Sequence, residues 1–316
     1  MASTESSSSA PTITPKEFYI FGSGISFSIS PTIHNAGFAH HNLPHSYTIA
    51  ESPSIDDVAH LIHSPSIGGA SVTMPHKLQV SKFCDEQTET ARVIGSINTL
   101  IISDGDQENT PEEPIRRRII VGDNTDWSGL YAIIKKYKEL TGTITQRAPK
   151  TGLVIGAGGA SRAALYALYR AGVESIYLAN RTVSVADKVR SDFAGLFEIS
   201  VLPLSDLFNL PSAPDVIIGT VPADTTNQEQ FEELFLGQVQ GLCIDMSYKP
   251  RRTPLLTAAG RHKGWTGVTG VEVLLAQAFD QYRLWTGIEA PKEGMVNAVL
   301  DREEMGGDKK HLLSML

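Results

Sequence analysis

The chain has 316 residues, with 27 Lys and Arg against 35 Asp and Glu and a formal net charge of −8. The length favours two domains over a single core. The acidic balance argues against nucleic acid or an anionic membrane as the main partner, because both require clustered basic side chains. It still allows an anionic small molecule at a locally positive site, and no apolar run approaches the length that spans a bilayer.

Two features of the composition indicate where the protein works. Cys84 and Cys243 are the two cysteines, a number unlike a disulfide framework and typical of a reducing compartment. Residues 1–15 are rich in Ser, Thr and Pro, so we expect a disordered tail rather than a signal or transit peptide. We therefore predict a cytoplasmic protein.

The first predicted strand, Phe18–Phe21, is followed by a polar segment that carries Ser28 and Ser30. Pro31 is typical of a first helical turn, and Ser30 in front of it suits the N-cap. The two serines are two residues apart in an extended segment, so they face the same side. Taken alone, the sequence favours a simple role in which Ser30 caps the helix and Ser28 has no function. The alternative is that the two hydroxyls, beside a helix N-terminus, bind the carboxylate of a ligand.

A second polar turn carries Thr73 and Lys77, with Pro75 between them predicting the start of a helix. A lysine in a first helical turn opposes the helix macrodipole, so it does not stabilise the helix. A solvated surface lysine is the ordinary interpretation. The alternative is a functional lysine, which requires a partner carboxylate and a substrate facing it.

A further predicted strand, Ser96–Ser103, has Asn98 near its start. The next segment, residues 104–118, is acidic and turn-rich and ends in three arginines, so we interpret it as a solvated hairpin insertion. A strand then leads to Asp126, which precedes a predicted helix over Leu130–Leu140. From the residues alone, an N-cap is the simplest role for Asp126.

The strongest motif joins an apolar run, Leu153–Ile155, to Gly156, Gly158 and Gly159, after which a helical pattern starts at Ala160. A second apolar strand follows at the distance expected of a βαβ unit. In such units the first glycine allows the tight turn, the second lets backbone amides approach a pyrophosphate, and the helix N-terminus favours negative charge. A turn without a nucleotide is the weaker interpretation in this context.

Strands and helices keep alternating after this unit, although the sixth position of the glycine motif is Ser161 rather than Gly. We expect the helix to lie slightly further from the strand for that reason. Because ligands bind beyond the carboxyl ends of parallel strands, Thr220, Met246 and Tyr248 are candidate site positions.

The cleanest helical pattern covers Gly270–Gly287. It has a continuous apolar stripe, and Gly287 is the residue expected to end it. Gln277 lies beside that stripe, where it is either an exposed glutamine or a polar group at a domain cleft.

These segments, in this order, resemble the shikimate/quinate 5-dehydrogenase family, most closely the shikimate dehydrogenase domain of fungal arom proteins. The likeness runs from about Phe18 to Pro291. It implies an α/β fold of two domains with a cleft between them: a substrate domain of residues 16–126 plus 270–316, and a Rossmann-type doubly wound parallel-sheet domain of residues 127–269. The segments that carry it are the glycine motif and residues 26–31, 71–77, 97–99, 122–127, 180–182, 245–248 and 270–277.

The resemblance implies a site for a polyol carboxylate. In this family a pair of serines, here Ser28 and Ser30, receives the substrate carboxylate. Two positions depart from the usual family pattern: Phe27 stands where His is common, at the rim of the carboxylate site, and Ser71 stands where Asn is common. The implied substrate-binding residues are Ser28, Ser30, Thr73, Asn98, Tyr248 and Gln277.

The resemblance places Lys77 and Asp126 at the reacting hydroxyl. We treat Lys77 as the proton donor and acceptor and Asp126 as the partner that orients it and shares the proton. Which of the two is the microscopic base stays open, because a coupled pair titrates as a unit.

The resemblance also implies a dinucleotide site. Arg181 can stack on adenine or pair with the 2′-phosphate of NADP, and Asn180 stands where an NAD site would carry Asp or Glu. Val185 stands where NADP-using relatives tend to carry a second cation. We therefore predict NADP, with NAD as the alternative, and no metal. The implied residues are Gly156, Ala157, Gly158, Gly159, Ala160, Asn180, Arg181, Thr182, Thr220, Val221, Met246 and Gly270.

The sequence thus predicts an oxidoreductase that interconverts shikimate and 3-dehydroshikimate. One alternative is an NAD-dependent quinate dehydrogenase, whose substrate differs by ring saturation and one hydroxyl, a small difference for a polar site to detect. Another is a catalytically silent regulator that binds the metabolite, which the retention of Lys77 and Asp126 disfavours. We expect a monomer or a homodimer.

Overall fold

The computed structural model describes residues 13–107, 116–145, 149–236, 240–302 and 309–316, and every structural statement concerns these residues. Residues 1–12 of the expected tail and residues 108–115 of the expected hairpin insertion lie outside them. The strands are β1 (Glu17–Gly22), β2 (Ser46–Glu51), β3 (Ile67–Val72), β4 (Glu86–Gln87), β5 (Thr99–Gln107), β6 (Arg116–Asp123), β7 (Thr151–Ile155), β8 (Ser175–Asn180), β9 (Ile199–Pro203), β10 (Val216–Gly219), β11 (Gly241–Asp245) and β12 (Trp265–Val268).

Helices separate most of the strands. They are α1 (Ser30–His40), α2 (Ala59–Ile62), α3 (Glu89–Ile94), α4 (Asp126–Thr145), α5 (Gly159–Arg170), α6 (Val183–Asp192), α7 (Pro254–Ala259), α8 (Gly270–Thr286), α9 (Lys292–Leu300) and α10 (Lys309–Met315). None of the helices in the described ranges combines the length and the apolar character that crossing a lipid bilayer requires.

The strands form two six-stranded sheets. The first sheet has the order β2-β1-β3-β5-β6-β4 and is mixed, because β5 runs antiparallel to both β3 and β6. The second sheet has the order β12-β11-β10-β7-β8-β9, and all of its neighbouring strands are parallel. Read from the opposite edge, beginning at β9, and with β7 to β12 numbered 1 to 6, the order is 3-2-1-4-5-6, the doubly wound Rossmann arrangement. The predicted α/β fold class is confirmed.

The central strand of the second sheet shows why its sequence is apolar throughout. All five residues of β7 are buried. Val154 packs into a cluster that contains residues of α4 and α5, whereas Leu153 and Ile155 pack into another that contains residues of α7. Helices on both faces therefore demand apolar side chains at every position of the strand.

Helix α8 connects the cores of the two sheets. Its start is fixed by the Thr269 hydroxyl, which accepts from the Val271 amide, and it ends at Gly287, whose φ is +70°. Val271 packs in the core beneath the first sheet, whereas Val273 packs in a core of the second. The helix predicted over Gly270–Gly287 is therefore present, and it lies where it contacts both sheets.

A close approach of α4 to α8 depends on a glycine. A Cβ added at Gly129 would lie 2.9 Å from the Gln277 backbone nitrogen, closer than real side chains come. The contact brings the first turn of α4, which contains Asp126, against the face of α8 that carries Gln277.

Two local predictions are wrong. The helix expected to start at Pro75 is instead a short 3₁₀ turn over His76–Leu78, because the Lys77 carbonyl accepts from the distant Ile97 amide rather than from the next helical turn. Ser30 is also not the N-cap of α1, since it is the first residue of the helix and Ile29 precedes it as the cap.

Candidate active site

A pocket of about 210 Å³ lies between the carboxyl end of the first sheet, α8 and the loop after β11. We call it the cleft pocket. It is lined by all the side chains that the sequence predicts for substrate binding and proton transfer: Ser28, Ser30, Thr73, Lys77, Asn98, Asp126, Tyr248 and Gln277. The structure therefore brings together groups from six separate segments of the chain.

A larger cavity, of about 340 Å³, has no part in this arrangement. Its lining includes Phe83, Cys84 and Arg118, and none of the predicted site residues. The Arg118 guanidinium donates to the carbonyls of Ser64 and Ile67, at 2.7 and 3.5 Å, which fixes that cation to the backbone.

Lys77 and Asp126 form an ion pair in the cleft pocket, with side chains only 13% and 7% exposed. The Lys77 ammonium contacts Oδ2 of the carboxylate, and Asn98 Nδ2 donates to Oδ1 at 3.0 Å. Both carboxylate oxygens are thus engaged by donors, which holds the charged group at the pocket wall.

Capping is not the role of Asp126. The Asn124 side-chain oxygen accepts from the backbone amides of Asp126 and Trp127, at 3.0 and 3.3 Å, and so satisfies the start of α4. The Asp126 side chain is therefore left to contact Lys77.

The orientation of the Asn98 amide is dictated by its neighbours. The Thr125 backbone amide, which can only donate, lies 2.6 Å from Asn98 Oδ1, and the Thr99 hydroxyl also donates to that oxygen at 2.7 Å. The nitrogen end must then face the pocket. There Nδ2 lies 3.0 Å from Asp126 Oδ1, 2.9 Å from Thr125 Oγ1 and 3.2 Å from Gln277 Oε1.

Two glutamines one turn apart on α8 are oriented in the same way. Gln277 Nε2 donates to the Leu274 carbonyl at 2.9 Å, so its oxygen faces Asn98. Gln281 Nε2 donates to the Asn98 carbonyl at 3.3 Å, and its oxygen accepts from the Ser71 hydroxyl at 2.9 Å. Backbone carbonyls thus fix both amides, leaving no freedom to exchange donor and acceptor ends.

The sequence analysis missed Gln281, Ser71 and Thr125 as members of this hydrogen-bonded set. The sequence did carry a signal for Gln281, because it follows Gln277 by four residues and so lies on the same helix face. The structure shows that Gln281 is 1% exposed. Thr125 and Ser71 gave no local signal, since their partners come from distant segments.

The paired serines occupy one end of the cleft pocket. Ser28 and Ser30 are 6% and 2% exposed, and the Ser28 hydroxyl donates to the Ser30 hydroxyl at 3.2 Å. The phenol of Tyr248 lies beside them. Burial raises the pKa of Tyr248, and hydrogen bonding to Ser28 and to the Ile29 backbone offsets part of that rise. The phenol therefore stays neutral and can donate a hydrogen bond.

The glycine turn, residues 156–159, follows β7 and lies next to Lys77, one of the residues that line the cleft pocket. Gly156 has a φ of +109°, which favours glycine. A Cβ at Gly158 would meet nothing within 4 Å, so the backbone there is open to a ligand. A Cβ at Gly159 would lie 3.0 Å from Cβ of Lys77. The stem of the lysine is therefore seated directly against the turn.

Ser161, at the sixth position of the glycine motif, lies in the first turn of α5. The fully buried Ser161 hydroxyl donates to the Gly158 carbonyl at 2.6 Å. This hydrogen bond ties the first turn of α5 to the glycine turn.

The other residues predicted for the nucleotide lie along the same edge of the second sheet, which we call the nucleotide edge. β7 and β10 are neighbours there and lead to opposite halves of the sheet, the point where such folds bind ligands. The Thr220 hydroxyl donates to the Ile155 carbonyl at 2.8 Å. The set comprises Gly156, Ala157, Gly158, Gly159 and Ala160 around the turn, Asn180, Arg181 and Thr182 at the end of β8, Thr220 and Val221 after β10, Met246 after β11, and Gly270 at the start of α8.

The end of β8 is exposed. Asn180 Nδ2 donates to the Thr182 carbonyl at 2.8 Å. Arg181 is exposed and makes no ion pair within the described ranges. Val185 is 45% exposed one turn into α6. The open glycine turn and this free guanidinium fit a phosphorylated dinucleotide, for which they supply backbone donors and one cation.

The two α/β sheets, the glycine turn at the strand crossover and the buried lysine–carboxylate pair define the class of two-lobed, Rossmann-type oxidoreductases. Three family models match the chain: "Shikimate dehydrogenase substrate binding domain" over residues 20–100, "Shikimate / quinate 5-dehydrogenase" over 139–252, and "Shikimate 5'-dehydrogenase C-terminal domain" over 270–300. The chain belongs to the shikimate dehydrogenase family, and the resemblance drawn from the sequence is confirmed.

Individual relatives agree with the family. The pentafunctional AROM polypeptide of Mycosarcoma maydis is 38% identical over 90% of this chain and 18% of that polypeptide. The chain thus spans about a fifth of the length of such relatives.

Solved structures give the same result. The dehydroquinate dehydratase and shikimate dehydrogenase portion of Schizosaccharomyces pombe AroM is 35% identical, with a TM-score of 0.71 over 91% of this chain and 53% of that one. The shikimate 5-dehydrogenase of Thermus thermophilus in complex with NADP(H) and shikimate is 25% identical, with a TM-score of 0.69 over 90% and 98% of the two chains.

Proposed function

We propose that this chain interconverts shikimate and 3-dehydroshikimate with NADP as the hydride carrier. One observation carries the proposal: the buried Lys77–Asp126 pair lines the cleft pocket, and the stem of Lys77 lies against Gly159 of the glycine turn. A group that exchanges protons with a hydroxyl is therefore placed beside the segment suited to a dinucleotide.

The dinucleotide supplies the redox chemistry when it is bound, accepting a hydride from the alcohol carbon or returning one to the ketone. The amides of the glycine turn and the N-terminus of α5 would hold its pyrophosphate. Arg181 would hold the 2′-phosphate. The complex of the Thermus thermophilus relative with NADP(H) and shikimate supports this choice of ligands.

The chain's own residues handle the proton. Oxidising a secondary alcohol removes a proton from its oxygen, and the Lys77 Nζ–Asp126 pair is the group that takes it and later returns it. The Asn98 amide, which donates to Asp126 Oδ1 at 3.0 Å, keeps the carboxylate turned toward the lysine. The pair acts as a unit, because each of the two groups shifts the protonation of the other.

The remaining pocket groups orient the substrate. Ser28, Ser30 and the neutral Tyr248 phenol offer hydroxyls to a carboxylate at one end of the pocket. The amides of Asn98 and Gln277 face the ring from the other side. Because these groups are already hydrogen-bonded in fixed orientations, binding costs little side-chain entropy.

Use of NAD is the second candidate, and the exposed Val185 favours it. With Val185 in place of a second cation, Arg181 is the one cation that directly follows β8 among the described residues. A single exposed guanidinium discriminates weakly for a 2′-phosphate, and no carboxylate at Asn180 selects a free ribose diol.

The experiment is a four-way comparison of the purified chain: shikimate or quinate, each with NADP or NAD, followed by nicotinamide absorbance. The proposal predicts the largest kcat/KM for shikimate with NADP. Faster turnover of quinate with NAD would replace it by the quinate dehydrogenase alternative. Tight shikimate binding without turnover would replace it by the regulator.

A further inference from the structure

A cation from the loop after β11 lies beside Phe27, a residue that lines the cleft pocket next to the paired serines. Lys249 directly follows Tyr248, and its ammonium lies 4.4 Å from the centroid of the Phe27 ring. Phe27 directly precedes Ser28. The rings of Phe27 and Tyr248 both line the pocket and meet edge to face, with centroids 5.8 Å apart.

The Phe27 ring holds the ammonium without neutralising it. A cation over an aromatic face is attracted by the ring quadrupole and keeps its charge and its N–H donors. In the described part of the chain Lys249 makes no ion pair with a carboxylate. Its donors are therefore available to an anionic ligand.

The other nearby cations are already engaged. Lys77, the cation that lines the pocket wall, is paired with Asp126. The positive charge of Arg302 offsets part of the rise in the pKa of Tyr248 that burial causes, but its guanidinium donates to the Thr32 hydroxyl at 2.9 Å. Of these three cations, Lys249 is the one whose ammonium contacts an aromatic ring and, among the described residues, forms no ion pair.

The serine pair cannot balance a carboxylate by itself. Ser28 and Ser30 are neutral, and the Ser28 hydroxyl is already donated to Ser30. An anion bound in a mostly buried place needs a compensating charge, and a charge-assisted hydrogen bond is roughly twice as strong as a neutral one.

We propose that Lys249 pairs with the substrate carboxylate that Ser28 and Ser30 receive, and is a specificity-determining residue for anionic substrates. The inference rests on the proposed function, since it requires a carboxylate at the two serines. Phe27, which departs from the histidine common in the family, is then the platform that aims the ammonium. The contact also joins the loop after β11 to the segment before α1.

The test compares Lys249→Met, Lys249→Arg and a matched control, Lys292→Met. Lys292 has a similar contact, with its ammonium 5.2 Å from the Phe279 centroid, but Phe279, unlike Phe27, does not line the cleft pocket. The Lys292 ammonium also donates to the Leu316 carbonyl at 3.2 Å. We expect Lys249→Met to bind shikimate about tenfold more weakly by calorimetry and to raise its KM similarly. Its kcat and its NADP affinity should stay within about twofold, Lys249→Arg should recover most of the loss, and the control should match wild type.

The methyl ester of shikimate separates charge pairing from a structural effect. Because the ester has no negative charge, wild type and Lys249→Met should handle it about equally. An equal loss for acid and ester, or unchanged binding of the acid by Lys249→Met, overturns the role of Lys249 while leaving the proposed function intact.

The proposed function fails in a different way. A wild-type chain that binds NADP but neither binds nor oxidises shikimate or quinate would refute the proposed function, and the role of Lys249 with it. If wild type binds shikimate without turnover, the calorimetric comparison still decides the role of Lys249.

Discussion

The cleft pocket and the nucleotide edge differ in the kind of groups that they present: buried, hydrogen-bonded side chains in one and exposed groups in the other. In the cleft pocket, the buried Asn98 side chain donates to Gln277, and the Gln281 side chain bonds the hydroxyls of Ser71 and Thr99. Backbone groups fix the orientation of all three amides. Along the nucleotide edge, the groups that we propose for the nucleotide are backbone amides of an open glycine turn and the exposed side chain of Arg181.

The difference indicates which property is built into the fold and which is adjustable. A change in the cleft pocket breaks several hydrogen bonds at once, because each group has two or three partners. A change at Arg181 breaks no ion pair and no side-chain hydrogen bond within the described ranges. Substrate recognition should therefore be hard to alter without losing activity, whereas the choice between NADP and NAD should change with one residue.

Among substitutions that leave the Lys77–Asp126 pair itself intact, Thr125→Val should have the largest effect. The Thr125 hydroxyl accepts from Asn98 Nδ2 at 2.9 Å and donates to Gln277 Oε1 at 3.1 Å. We expect about a tenfold loss of kcat, since two fixed amides lose a partner. The KM for NADP should remain within about twofold, and Thr125→Ser should restore turnover. A fully active Thr125→Val enzyme would show that the network does not orient the reacting groups.

Arg181→Gln tests the other region. We expect kcat/KM with NADP to fall about five- to tenfold, while kcat/KM with NAD stays the same. Val185→Arg should shift the preference toward NADP by restoring a second cation. Arg190→Gln serves as the control, because Arg190 pairs with Asp187 on α6 and contacts neither region. Equal losses with both nucleotides would place Arg181 outside phosphate recognition.

The smallest effects concern stability, and here the two regions respond to pH with opposite signs. Burial lowers the pKa of His34, beneath the cleft pocket, to about 3. The unfolded chain then binds the extra proton, so stability is lost as pH falls below about 6.5. Burial raises the pKa of Asp245, at the end of β11, to about 6. The folded chain then binds the extra proton, so stability is gained as pH falls from about 6 toward 4.

The two slopes offset each other between about pH 6 and pH 4, and variants separate them. Asp245→Asn should lose stability on acidification, by up to about 1.4 kcal/mol per pH unit, and His34→Leu should gain it. Urea unfolding at a series of pH values measures both. Identical pH profiles for the two variants would contradict the assignment of either group.

Local pattern and long-range contact account for what the sequence could and could not predict. The glycine turn was predictable because a buried strand, glycines and a helix are adjacent in the chain, and Gly156 indeed has a positive φ. The helix at Pro75 was wrongly predicted because the Ile97 amide, twenty residues away, takes the Lys77 carbonyl.

The cleft pocket was predictable only through the family resemblance. From the residues alone, Ser30 and Asp126 indicated caps and Lys77 indicated a surface residue. The structure shows why that reasoning falls short: Asn124 caps α4 instead, and Lys77 reaches Asp126 across 49 positions of sequence. Burial of these polar groups is a tertiary property that no local spacing encodes.

The most direct measurement is the turnover of Lys77→Met with shikimate and NADP, together with the affinity of the variant for NADP. The account predicts about a thousandfold loss of kcat, within the range for removing a positioned proton donor and acceptor, and NADP binding within about twofold of wild type. Turnover close to wild type with intact NADP binding would contradict the assignment of proton transfer to the Lys77–Asp126 pair.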